Sequence, residues 1–197
     1  MVHAITIHLI RHEKTQANIE RKYIGWTDEE IIPRAGHFTL PLNPAVVYGS
    51  DLIRCKQTAN LYFPKATFLS AVGLRELNFG DFEMKTYEQL KDHKLYRRWI
   101  DDPLCVTPQN GESFQVFKER VYDAFWRIVT KPGEYVFVVH GGVIRLLIAL
   151  FLESDFAKIT ANHHTVYTCA WDYFSQLKEG QRCKSISEVP ITVKDNL

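Results

Sequence analysis

The sequence predicts an α/β fold, a three-layer αβα sandwich around a mainly parallel central sheet. Three observations lead there. Short apolar, β-branched runs alternate along the chain with longer segments of helical character. The runs are apolar throughout rather than at every second residue, which is how strands covered on both faces read. Two of them stop abruptly at histidine, placing polar side chains at one edge of a sheet, where open α/β folds hold their ligands.

The first strand is Ala4 to Ile10, ended by Arg11 and His12. A polar stretch through Asn18 and Arg21 leads to a turn at Gly25 and Asp28. Pro33, Pro41 and Pro44 leave only a short helical piece around Ala35 to Leu40, so one sheet face is expected to be thinly covered. Ala45 to Tyr48 is a second strand. Ser50 and Asp51 offer an N-cap to a helix carrying Arg54, Gln57, Thr58, Leu61 and Tyr62, which Pro64 closes. A helix is predicted from Thr86 to about Trp99, and Pro103 and Pro108 break it. Gly111-Glu112-Ser113 then leads into an amphipathic helix with Phe114, Phe117, Val121 and Phe125 on one face, stopped by Pro132-Gly133. Tyr135 to Val139 places five β-formers in a row before His140, and Gly141-Gly142 opens a helix through Leu152. Val166 to Trp171 reads as the last strand. All of 1–197 reads as a single domain with a small helical insertion around 84–112.

Composition narrows the function. The chain is 46% hydrophobic and 24% charged, with a formal net charge of +1, so it carries no general field for nucleic acid or an anionic membrane. Any anion site must be local. Cys55, Cys105, Cys169 and Cys183 show no CxxC spacing, and the N-terminus has no leader pattern, so the chain reads as cytoplasmic with free thiols. The most apolar window, Tyr135 to Leu152, is interrupted by His140, Gly141, Gly142 and Arg145 and reads as strand, turn and helix rather than a membrane span. No residue cluster demands a metal or another cofactor, and no oligomeric state is legible.

In a parallel sheet His12 and His140 emerge at the same edge, so residues far apart in sequence can meet in one pocket. Arg11 and Arg54 stand next to such positions, and a guanidinium stays charged at any working pH while forking two donors onto two phosphate oxygens. Gly141-Gly142 at a helix start adds backbone N–H groups that favour an anion. Each residue also has a plainer role open to it: a structural histidine, a solvated arginine, or, for Glu76, a surface ion pair with Arg75.

Four ordered motifs lift the reading above that. Leu9-Ile10-Arg11-His12-Glu13-Lys14-Thr15 with Asn18, Ser50-Asp51-Leu52-Ile53-Arg54-Cys55-Lys56-Gln57-Thr58-Ala59, Leu74-Arg75-Glu76-Leu77-Asn78-Phe79-Gly80-Asp81-Phe82-Glu83 and Val139-His140-Gly141-Gly142-Val143-Ile144-Arg145 resemble the signature motifs of the histidine phosphatase superfamily, which includes cofactor-dependent phosphoglycerate mutases and many phosphatases. The resemblance implies a phosphoglycerate mutase-like fold. It implies His12 as nucleophile, forming a phosphohistidine; Arg11, Arg54 and His140 as ligands of the transferred phosphate; and Glu76 as proton donor. Asn18 and Gly25 fall where the family contacts phosphate or substrate, and Gly141 offers its backbone to phosphate. His163 and His164 read as surface or structural residues. Glu13 stands where the family usually has glycine, and a carboxylate there must turn away from phosphate or pair with a cation such as Lys14.

The implied activity is metal-independent hydrolysis of small phosphomonoesters. Tyr23 to Asp28, the Trp99 to Pro103 region, Gly111 to Phe114 and His140 to Gly142 look similar to α-ribazole-5′-phosphate phosphatases, and also to broad-specificity phosphatases. A phosphoglycerate mutase and a catalytically idle phospho-ligand binder are the alternatives.

Overall fold

The structure is a computed structural model that describes residues 3–34 and 37–194. A six-stranded sheet runs in the order β4 (Thr67–Ser70), β3 (Val46–Gly49), β5 (Gly133–Val139), β1 (Ile5–Arg11), β6 (Thr165–Trp171) and β7 (Ser185–Pro190). The first four are parallel to one another, while β6 is antiparallel to β1 and β7 to β6. The alternation of strand and helix thus gives a mainly parallel sheet, as expected, with an antiparallel edge.

Helices cover both faces. On one side α5 (Phe114–Ile128) and α6 (Gly141–Leu152) pack Phe117, Phe125, Val143 and Leu147 against Ile5, Ile7, Leu9 and Phe137. On the other, α2 (Ile53–Tyr62) sets Cys55, Ala59 and Tyr62 against Ile10, Val47, Val136 and Val138. Every second residue of β1 therefore faces each core. On the second face the buried His8 is tied to Thr168 and Glu134 by hydrogen bonds of 2.8 Å each.

Several expected elements differ. The helical piece around Ala35 to Leu40 lies partly outside the described residues, and its remainder is a strand, β2 (His37–Thr39), paired with β8 (Thr192–Lys194). Phe38 of this ribbon and Ile191, just before β8, pack on the α2 side of the sheet, so that face is better covered than a lone helix would leave it. The helix from Thr86 to Trp99 is two helices, α3 (Tyr87–Leu90) and α4 (Lys94–Asp101), because His93 accepts from the Tyr96 N–H and starts a new N-terminus. Leu90, Tyr96 and Trp99 from this region join the larger core. The strand at Val166 is not the last: after α7 (Phe174–Lys178) come β7 and β8. β7 is exposed along its length, and its polar residues gave no strand signal. No helix among the described residues is long and apolar enough to cross a membrane.

What positions the site is the register of β1 on β5. Ile5 pairs with Gly133 and Arg11 with Val139, and the His12 N–H donates to the Val139 carbonyl at 2.9 Å. The two strands end level, so His12 and His140 leave the sheet side by side.

Candidate active site

The His12 Nδ1 lies 2.7 Å from the Glu13 carbonyl oxygen. A carbonyl only accepts, so Nδ1 carries the proton and Nε2 keeps its lone pair. Burial, then the charges of Arg54 and Arg11, hold this imidazole well below the ordinary histidine pKa, and the ring is neutral at pH 7. A neutral, oriented imidazole with a free nitrogen is the form that attacks phosphorus. The His140 ring stands 5.1 Å away, centroid to centroid.

Arg54, on the first turn of α2, is fully buried rather than solvated. Its Nη1 donates to the Thr27 carbonyl at 2.9 Å, its Nη2 to the Gly25 carbonyl at 2.6 Å and its Nε to His140 Nδ1 at 3.3 Å. Three of five N–H groups are spent on orientation, and two remain for a ligand. Gly25 is therefore the grip on Arg54 through its carbonyl. It must be glycine, since a Cβ there would stand 2.1 Å from the Leu77 carbonyl oxygen. Because His140 Nδ1 accepts from Arg54, its proton sits on Nε2, which lies 3.5 Å from the Cys55 sulfur. Burial, then Arg54, keeps His140 well below its usual pKa too.

Arg11 gives one N–H of Nη1 to the Ala161 carbonyl at 2.8 Å, while its buried Nε has no hydrogen-bond partner among the described residues. Burial pushes both arginines below their ordinary value and the nearby Glu76 carboxylate opposes that shift. Gly141 packs where a Cβ would come 3.2 Å from the Arg11 guanidinium carbon, so this position makes room for Arg11.

Glu76 does not pair with Arg75, whose guanidinium binds Asp51 at 2.8 and 2.6 Å. Its two carboxylate oxygens accept instead from the Leu77 N–H at 2.9 Å and the Gly142 N–H at 2.8 Å. A Cβ on residue 142 would stand 2.2 Å from the Glu76 Oε1, so Gly142 lets the carboxylate reach the N-terminus of α6. Of the expected anion-binding N–H groups of the glycine pair, that of Gly142 thus serves Glu76. The Glu76 carbonyl is gripped in turn by Trp26 Nε1 at 2.9 Å and Arg120 Nη2 at 2.7 Å.

A cleft of ≈ 730 Å³ opens against Arg11, Glu76, Gly141 and Gly142. Asn18, like His12, Arg54 and His140, is not among the residues that line this cleft; its Oδ1 accepts from the Thr15 N–H at 3.1 Å and completes the cap of α1 (Gln16–Ile19).

Glu13 is buried and bound, but not to Lys14. It accepts from the Tyr62 hydroxyl, from His164 Nε2 at 2.8 Å and from Arg34 Nη1 at 3.3 Å, while its N–H donates to Thr58 Oγ1 at 2.8 Å. His163, beside it in the chain, places its ring 5.8 Å from that of His12. Burial, then Arg11, pushes its pKa down to about 3.

A family model, the histidine phosphatase superfamily (branch 1), matches residues 7–188. The chain belongs to the histidine phosphatase superfamily. It is 32% identical over 158 residues, 72% of this chain and 76% of the relative, to an adenosylcobalamin/α-ribazole phosphatase of Escherichia coli. To a metal-independent phosphoserine phosphatase of Arabidopsis thaliana it is 30% identical over 168 residues, covering 77% of this chain and 70% of the relative. A crystal structure of a putative α-ribazole-5′-P phosphatase from Escherichia coli shares the fold, with a TM-score of 0.76, 24% identity and 95% of each chain covered.

In this histidine phosphatase the motifs named Arg11, His12, Arg54, Glu76 and His140, and the structure brings these five together. Sequence reasoning missed the residues that hold them. Glu83 accepts from the Trp26 and Thr27 N–H groups at 2.8 and 2.7 Å and so fixes the loop that grips Arg54. Arg120 clamps the carbonyls of Gly73, Arg75 and Glu76 from α5. Glu83 ends a motif and had a signal; Arg120 looked like any charge on a helix.

Proposed function

We propose that this protein is a metal-independent phosphomonoesterase that works through a phosphohistidine on His12. His12 Nε2 attacks phosphorus, the bond from phosphorus to the ester oxygen breaks, and Glu76 gives its proton to the departing oxygen. The Glu76 carboxylate then takes a proton from water as that water attacks the phosphohistidine. Inorganic phosphate leaves and His12 is restored with its lone pair. Arg11 and the two spare N–H groups of Arg54 carry the charge on the transferring group, which needs positioning and electrostatic stabilisation more than covalent help.

The observation that carries this reading is the state of His12. It is neutral, oriented by the Glu13 carbonyl, and set among two arginines with a carboxylate fixed nearby. The named relatives point to hydrolysis, and α-ribazole-5′-phosphate is one substrate their likeness favours. The binding of Glu13 by three side chains speaks against an idle ligand binder, since the carboxylate is occupied rather than turned on the phosphate.

Incubation with a 32P-labelled phosphomonoester, acid-sparing quench and gel separation tests it. Label should appear on the wild-type chain and vanish in His12→Ala together with phosphate release, and EDTA should change neither. Label persisting in His12→Ala would sink the assignment, and isomerisation of 3-phosphoglycerate outpacing phosphate release would favour the mutase.

A further inference from the structure

The cleft beside Glu76 is far larger than a phosphate group needs, and its ≈ 730 Å³ is the scale of a site for a whole small molecule. Arg11, Glu76, Gly141 and Gly142 form one part of its lining, so it is continuous with the phosphoryl site. On the phosphomonoesterase reading its occupant is the alcohol portion of the ester.

The rest of the lining is specific in character. Tyr23, Phe79 and Trp99 form one aromatic group, with ring centroids 5.4 to 5.8 Å apart, and Phe114 and Phe156 form a second at 4.9 Å. Aromatic walls of this kind favour a flat ring, stacked or edge-on. The charged residues away from the phosphoryl end are three exposed aspartates, Asp101, Asp102 and Asp155, against one arginine. That arginine, Arg145, spends its Nε and Nη2 on the carbonyls of Ile159 and Phe156 and lies 4.1 Å from the Phe156 ring centroid. It is part of the aromatic wall, and the carboxylates set the sign at the mouth.

We propose that this cleft selects phosphomonoesters whose alcohol carries a flat ring without negative charge, and disfavours those whose alcohol carries a carboxylate. The ring gains contact with the aromatic lining, whereas a carboxylate meets three like charges on entry. Phosphoglycerates and phosphoserine fall in the disfavoured class. The proposal rests on the phosphomonoesterase reading, because that reading places the phosphoryl group at the Arg11 and Glu76 end.

Three phosphonates, which bind without being hydrolysed, separate the effects: propylphosphonate, 2-phenylethylphosphonate and 2-carboxyethylphosphonate, titrated calorimetrically in competition with inorganic phosphate. The phenylethyl compound should bind about ten-fold tighter than the propyl one, and the carboxyethyl compound weaker than both. Phe114→Leu should shrink the ring preference. Asp101→Asn combined with Asp102→Asn should raise carboxyethyl binding by a larger factor than propyl binding, since the carboxyethyl compound carries the extra charge. Equal affinity for the ring and the propyl chain, or tightest binding of the carboxyethyl compound, would overturn the proposal. The order holding while His12→Ala still releases phosphate would sink the phosphohistidine reading alone. A working wild-type phosphatase with no order among the phosphonates would sink the cleft proposal alone.

Discussion

Glu13 decides how His12, the proposed nucleophile, is held. Its carbonyl fixes the His12 tautomer, its N–H is spent on Thr58, and its side chain is pinned by Tyr62, His164 and Arg34, so the peptide after His12 is tied at three points. Arg34 and His164 are partly exposed and can turn to water, but Tyr62 is buried. Glu13→Ala should therefore cost roughly 1–3 kcal/mol, the penalty of a buried polar group left without its partner, read from urea unfolding. The rate of phosphohistidine formation should fall with it, as His12 loses part of its orientation. Full stability in Glu13→Ala would show that the network binds the loop weakly. The sequence marked Glu13 as out of place beside a phosphate site and named Lys14 as the obvious cation. The true partners lie 21 and 151 residues away, which no local pattern can reveal.

At the scale of elements, what is short and polar escaped and what is long and apolar did not. β1, β5, α5 and α6 sit where their apolar runs and caps placed them, Ser113 capping α5 as its position before Phe114 implies. The start of α2 is different. Ser50 accepts from the Leu52 N–H and Asp51 from Arg75, while the first helical N–H, that of Ile53, donates to Asp28 from the Gly25 loop at 2.8 Å. A distant residue thus serves as the cap, and it ties the helix bearing Arg54 to the loop whose carbonyls orient Arg54. Asp28→Ala should destabilise the protein by about 1 kcal/mol, the usual worth of an N-cap, and weaken inorganic phosphate binding as Arg54 loses registration. Thermal unfolding and phosphate titration check the two effects, and phosphate affinity unchanged despite a lowered Tm would separate cap from site. β2 and β8 were unreadable for a related reason: each is three residues long and exists only by pairing with the other across the length of the chain.

The whole molecule carries the cost of building the site in its interior. His12 and His140 are buried and held below the ordinary histidine value of 6.5, first by burial and then by Arg54. The native state refuses protons that the unfolded chain accepts below that value. Stability from these two residues is complete above about pH 6.5 and declines as pH falls through it, by up to about 1.4 kcal/mol per pH unit for each histidine. Unfolding free energy from urea curves should therefore drop between pH 7 and pH 5, with proton uptake on unfolding. A flat profile across that interval would mean that both rings titrate normally in the folded protein. The arginines are buried by the same packing, and the phosphoryl site proposed at this sheet edge is what that burial would serve.

By itself the sequence determined the four central strands of the sheet and the residues that its motifs name. Apolar runs that stop at Arg11-His12 and at His140 can only be strands feeding one edge, and arginine, glutamate and glycine recur in motifs whose order identifies the family. Tertiary structure decided how those residues are used. The grip of Gly25 on Arg54 and the seat of Glu76 on Gly142 depend on backbone groups from other segments, and the pinning of Glu13 depends on side chains 21, 49 and 151 residues away. A hydrogen bond of this kind is set by position and not by residue type, so only the folded chain could show it.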